Sequence, residues 1–351
     1  MLTAYHLAKG VLPDRTSKFS RRDFTLPQLF ACLAVKEQQK KSYREAEALL
    51  KDADHWCHAI GMRKVPDPNT LCRAAKAILS RFRTDKLLDV VARWAATARI
   101  LGLSLKPLAG DATHFEDRHC SRHFESRRGR GTGSKGRKSK VKGLPKLAVG
   151  VASACHLVIS FWAGAGAGGD SAHFEPLLFD AWRRVPNRRF KSAWDAGFDA
   201  EHNHELARRD MGVPTLIPAT VGRPVKGGKP PAGRWRRHMR RVLATKASRR
   251  RCGYTQRWQV ETVNSMIKRN LGSALRGKTK ASRTRDLRLK VLVHDLMILR
   301  RQRRVETEHV SYGFHFILAP RYYYCHWPLK RPVRLVPARA LSGRRIIRLL
   351  R

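Results

Sequence analysis

Residues 103–113 read LSLKPLAGDAT, and the fold turns on this stretch. Apolar residues run up to one carboxylate, Asp111, as in a buried strand that ends where the chain reaches a polar site. A second stretch, FKSAW (190–194), repeats the pattern and ends at Asp195. Between them LAVGVASA and LVISFWAGAGA, joined at Cys155-His156, predict an antiparallel hairpin, although no two-residue turn motif marks the join. Asp170-Ser171 is placed to cap a helix through PLLFDAWRR. Residues 200–211 have a helical pattern, and VPTLIPA supplies a further strand.

The order is three strands, helix, strand, helix, strand, then helices. Acids end the first and fourth strands. That layout resembles an α/β RNase H-like core, a mixed five-stranded sheet with flanking helices. In such a sheet the two acid-bearing strand ends lie side by side, so distant residues converge. Upstream, residues 26–103 read as helices. Leu29, Cys32, Leu33 and Val35 recur at a helical period. Ser42 with Glu45 forms a capping box. Asn69-Thr70 is expected to cap LCRAAKAILSRF. The expected division is a helical N-terminal domain at 1–103, suited to binding DNA, a catalytic domain at 104–304, and a basic tail at 305–351.

Charge narrows the partner. The 351 residues carry 73 Lys and Arg against 27 Asp and Glu, a formal net charge of +46. A chain so basic repels itself until an anion neutralises it, and nucleic acid is the usual one. Two acid-free basic stretches, 127–146 and 221–251, are expected as phosphate-tracking loops. No run of 18 apolar residues argues for a membrane span, and the N-terminal MLTAYHLAKGVLPDR lacks the apolar core of a signal peptide. A cytoplasmic, nucleoid-associated protein is expected. The seven cysteines are odd in number, scattered and never in a CxxC pair, which disfavours a disulfide framework or a four-cysteine zinc site. His114, His119, Cys120 and His123 cluster, but their spacing fits no common structural-zinc pattern.

The most informative segment chemically is YTQRWQVETVNSMIKRNLG, residues 254–272. Read as a helix with Tyr254 at zero, Arg257 falls at about 300°, Glu261 at about 340° and Lys268 at about 320°. Val260, Val263, Ile267 and Leu271 fall opposite, at about 180–260°. One face is for a core. The other presents a phenol, two cations and a carboxylate. A solvated face has such charges too; what distinguishes this one is its place after two strand-end acids in a basic chain. Asp111, Asp195 and Glu261 would make a hard-oxygen set of the kind Mg²⁺ prefers, with Arg257 and Lys268 as phosphate clamps.

These residues resemble the DDE transposases of insertion sequences that carry a Y-(2)-R-(3)-E-(6)-K signature. Tyr254, Arg257, Glu261 and Lys268 match it at every position. Asp195, Gly197 and Phe198 match the family's D-(1)-G-(Y/F) motif, and Asp111 with Thr113 matches its first acid, in a strand ending D-x-T. Gly169-Asp170-Ser171 fits a G-x-x-x-D-S segment only loosely. The resemblance runs from about Phe24 to Arg300. It implies catalysis by Asp111, Asp195 and Glu261 on two Mg²⁺ ions, for which Mn²⁺ substitutes. It implies DNA contacts through Tyr254, Arg257 and Lys268, and a homodimer acting on double-stranded transposon ends and target DNA. Some relatives carry a β-strand insertion before the Glu. Only 66 positions separate Asp195 from Glu261, so a basic loop is expected instead. Beyond Arg304 the chain matches nothing in that family. The other readings weighed are an RNase H-like nuclease without strand transfer and a non-catalytic DNA-binding protein.

Overall fold

Side-chain caps start four of the N-terminal helices. Thr25 with Gln28 and Ser42 with Glu45 close capping boxes on α2 (Leu26–Gln38) and α3 (Tyr43–Asp52). They follow α1 (Leu2–Lys9), and α4 (Asp54–His58) comes next. The cap expected at Asn69-Thr70 lies earlier. Asp67 caps α5 (Pro68–Ile78), accepting from the Thr70 N–H at 2.9 Å, because Pro68 presets the first helical turn and needs no donor. The run LCRAAKAILSRF is also two helices rather than one, since Ser80 caps a new start, α6 (Arg81–Thr97).

The computed structural model describes residues 1–19, 21–101, 105–117, 144–166, 169–185, 190–220 and 233–309. Most of the basic stretch 127–146, residues 221–232, the His119–Cys120–His123 cluster and the tail beyond His309 lie outside them. Two sheets follow the helices. The strands are β1 (Leu108–His114), β2 (Glu116–Asp117), β3 (Pro145–Ala152), β4 (Leu157–Ala165), β5 (Ser192–Trp194), β6 (Thr215–Leu216) and β7 (Ala274–Leu275). Five form one sheet in the order β4-β3-β1-β5-β6, and β2 pairs with β7 separately. β3 and β4 are the expected antiparallel hairpin about Cys155-His156; β1 runs antiparallel to β3 and parallel to β5. This mixed five-stranded sheet with flanking helices is an RNase H-like α/β core.

The remaining helices are α7 (Phe174–Arg184), α8 (Glu201–Glu205), α9 (Arg234–Val242), α10 (Lys246–Cys252), α11 (Trp258–Leu271) and α12 (Lys280–His309). Three local expectations are corrected. β1 does not end at Asp111 but continues to His114, where the strand pairs with Lys146 of β3 and is only half-buried, so its polar residues are not a strand end. Asp170 does not cap α7. It sits in a 3-10 turn, and its carboxylate is taken by Lys146 at 2.6 Å. The basic stretch expected as a loop is helical where described. Met239 and Leu243 supply the buried stripe of α9, and a Thr245–Ser248 capping box starts α10.

Helical segment and sheet share one hydrophobic core within a single compact unit, Met1–His309. Charged groups tie them further. The buried Arg184 guanidinium of α7 donates to Asp85 at 2.9 Å and Asp89 at 3.0 Å on α6, and to the Ile159 carbonyl at 2.9 Å. Lys290 of α12 donates to Glu37 of α2 at 2.7 Å. Each ion is taken from water but keeps its partners, so removing one member would leave a costly buried charge.

Candidate active site

Strand register sets the first two acids together. Gly110 of β1 and Trp194 of β5 are partners across the parallel ladder, so Asp111 and Asp195 follow one another on adjacent strands. Trp194 is fully buried, with Phe174 and Phe198 ring centroids at 4.9 and 5.0 Å. Phe198 thus anchors the turn after Asp195 into the core. At Gly197 a Cβ would lie 3.0 Å from the Asp170 Oδ2, which explains the small residue in the Asp-Ala-Gly-Phe turn. Asn203 donates to the Phe198 carbonyl at 2.8 Å and the Ser171 hydroxyl at 3.1 Å, holding the same turn from below.

α11 crosses this edge with Val260, Val263, Ile267 and Leu271 buried, the face its periodicity predicts. Residues 254–257 form a 3-10 turn ahead of it, so Tyr254 departs from the ideal helical angle. Its hydroxyl donates to the Trp194 carbonyl at 3.4 Å, one residue before Asp195. Arg257 is ion-paired to Glu261 one turn on. Lys268 donates to the Thr113 hydroxyl at 2.6 Å and lies over the Phe115 ring. All four side chains are therefore aligned on β1 and β5 or on one another.

Burial pushes the Asp111 carboxyl up to about 6. The Ala112 N–H and Arg257 pull it down, while Asp195 and Glu261 push it up. The three acids therefore share one electrostatic neighbourhood. Burial works against the Arg257 cation, yet its pKa is raised because Glu261, Tyr254 and Asp195 together outweigh that penalty. Burial also lowers the Lys268 pKa and raises that of Tyr254. Among the described residues no three His, Cys, Asp or Glu side chains are gathered closely enough to hold a metal ion. Glu261 is turned to Arg257, and Asp111 accepts from Asn264. The donor chemistry nevertheless fits a divalent cation: hard carboxylate oxygens on rigid elements, one kept from ionising freely by burial and the other two acids.

Residues 108–296 match the family described as Transposase DDE domain. The chain belongs to that family. No curated protein and no solved structure matches it. The matched span opens with β1 and closes within α12, so it contains all three acids and the whole five-stranded sheet. Transposases of this family act on DNA and generally use a divalent metal. Among the described residues no helix is long and apolar enough to cross a membrane.

The DDE domain also holds a residue that the sequence did not reveal. Asn264 of α11, 6% exposed, donates through Nδ2 to the Asp111 Oδ2 at 3.1 Å. It lies three positions after Glu261, where it could have been assigned to the edge of the apolar face. Nothing but the distance to β1 separates an aligning amide from a filler.

Proposed function

We propose that the chain is a DNA transposase that cleaves transposon ends and joins the freed 3′-hydroxyl to target DNA by two-metal phosphoryl transfer. The observation that carries this reading is the β1–β5 register, which seats Asp111 beside Asp195 within a Transposase DDE domain. Asp111, Asp195 and Glu261 would hold two Mg²⁺ ions, with Mn²⁺ as substitute. When bound, those ions activate the attacking oxygen and neutralise charge on the leaving one.

The chain's own residues do the rest. Asn264 fixes one oxygen of Asp111, so the carboxylate is oriented before any substrate arrives. Arg257 guards Glu261 while free, and its fork suits a phosphate once DNA competes for it. Lys268 contributes a second cation from α11 itself, and Tyr254 sets the turn that precedes that helix. With the Y-(2)-R-(3)-E-(6)-K spacing complete, these three residues contact the transposon-end backbone. The helical segment 1–103 contributes further DNA contacts. The protein works as a homodimer in the cytoplasm, on nucleoid DNA.

The test incubates the full chain with Mg²⁺ and linear DNA bearing the inverted repeats that flank its gene, plus a supercoiled target. Specific nicking at the repeat ends with joined products supports the proposal. Cleavage without joining would identify a nuclease, and binding alone a non-catalytic DNA-binding protein.

A further inference from the structure

Between the second and third acids the chain builds the α9–α10 hairpin. Nine of the twenty residues 233–252 are Lys or Arg, and none is Asp or Glu. One side is apolar and seated: Met239 and Leu243 bury against Ala193 of β5 and Leu216 of β6. Its start is pinned by two acids of the core. Glu201 accepts from the Trp235 and Arg236 N–H groups at 2.8 and 3.0 Å, and Asp199 accepts from the Arg236 guanidinium at 2.7 Å. Its end passes through Gly253, in the left-handed region at φ 86°, into Tyr254, whose hydroxyl reaches the Trp194 carbonyl. Both ends are thus fixed within a few residues of Asp195.

The outer side is different. Arg234, Arg237, Arg240 and Arg241 recur at helical spacing and are exposed, as are Lys246, Arg250 and Arg251 on α10. Among the described residues Arg240, Arg241, Lys246, Arg250 and Arg251 have no carboxylate partner. Like charges three and four apart each cost a helix a few tenths of a kcal/mol, so this surface weakens the hairpin that carries it. Charge kept only for solubility could sit anywhere on the molecule. Here it is concentrated on a rigid element beside the candidate active site, with the core's nearby acids spent on anchoring it.

We propose that the α9–α10 hairpin is a clamp for the backbone of duplex DNA, held in fixed position relative to Asp195. This rests on the transposase reading above. From Arg234 to Arg241 the stripe is about 10 Å long, at about 1.5 Å rise per residue. That length spans about three base-pair steps, at about 3.4 Å of duplex axis each. The contact reads no sequence and sets where the duplex lies across the site.

The test is the salt dependence of duplex binding by the full chain in EDTA. A triple variant, Arg240→Gln/Arg241→Gln/Arg250→Gln, is compared with wild type. A control triple on α12, Lys280→Gln/Arg300→Gln/Arg301→Gln, makes the same charge change at exposed positions outside both the candidate site and segment 1–103. The clamp predicts that the slope of log K against log [salt] flattens by about 0.9 per lost contact, about 2.7 in all, with little change in the control. An unchanged slope, or equal flattening in both triples, overturns it. Should the first triple unfold, Lys246→Gln/Arg251→Gln on α10 carries the same test. Wild type that fails to bind duplex DNA at all would instead sink the transposase reading, and the clamp with it.

Discussion

The indole of Trp194 lies across the Cα of Gly110, so closely that a Cβ on Gly110 would fall 1.9 Å from Trp194 Cε3. Each is the residue before an acid, Asp195 and Asp111. The absence of a side chain at 110 therefore lets β1 and β5 close in the register that juxtaposes the two carboxylates.

Gly110→Ala should then be far more disruptive than its size suggests. Trp194 is boxed in by Phe174 and Phe198 and has nowhere to move. Overpacking of this kind costs about 1–3 kcal/mol, and the strain falls on the acid-bearing ends. A thermal melt should show a clear loss of stability, and cleavage should fall further than the melt explains. A variant with wild-type stability and cleavage would mean the strands tolerate a wider spacing.

Asn264→Ala should leave DNA-end binding unchanged and lower cleavage about 10–100-fold, the usual cost of losing a group that orients a metal ligand. The loss should be partly rescued by raising Mg²⁺, since orientation and not charge was removed. Asn264→Ser, with a shorter donor, should recover part of the activity. If excess Mg²⁺ rescues nothing and the melt shifts instead, Asn264 is only a core residue.

Much of this site was legible in the chain. The buried face of α11 was readable because four apolar residues keep one period; the acids stand out as candidates because each ends an apolar run or sits in a spaced motif. What was hidden follows a pattern. β1 runs past Asp111, where the sequence suggests an end because the second half carries polar residues, although the ladder to β3 continues. The α9–α10 hairpin looked like a loop because its charge outweighs a stripe of only a few apolar residues. Asn264 was invisible because its partner lies 153 residues away.

Asp295 provides a prediction independent of the DNA chemistry. It is fully buried on α12, accepts from the Val158 N–H at 2.9 Å, and its second oxygen has no partner. Burial raises its carboxyl well above the ordinary range, so between the unfolded and folded pKa the folded chain holds a proton that the unfolded chain has released. A folded pKa raised above the unfolded one contributes stability that is full at low pH and is lost as pH rises. Asp295→Asn removes that difference and keeps the shape. It should raise the melting temperature more at pH 8 than at pH 4. A gain equal at both pH values would show that its pKa is not raised in the fold, and a loss at pH 8 that the carboxylate is ionised and paired there.

The most direct test of the central claim is Mn²⁺ binding, followed by electron paramagnetic resonance on the full chain with duplex end DNA. The proposal predicts two ions bound by the wild type. Asp111→Asn, Asp195→Asn and Glu261→Gln should each lower that number or weaken binding at least about tenfold, without loss of DNA affinity. Wild-type Mn²⁺ binding in any one of the three would remove that acid from the site.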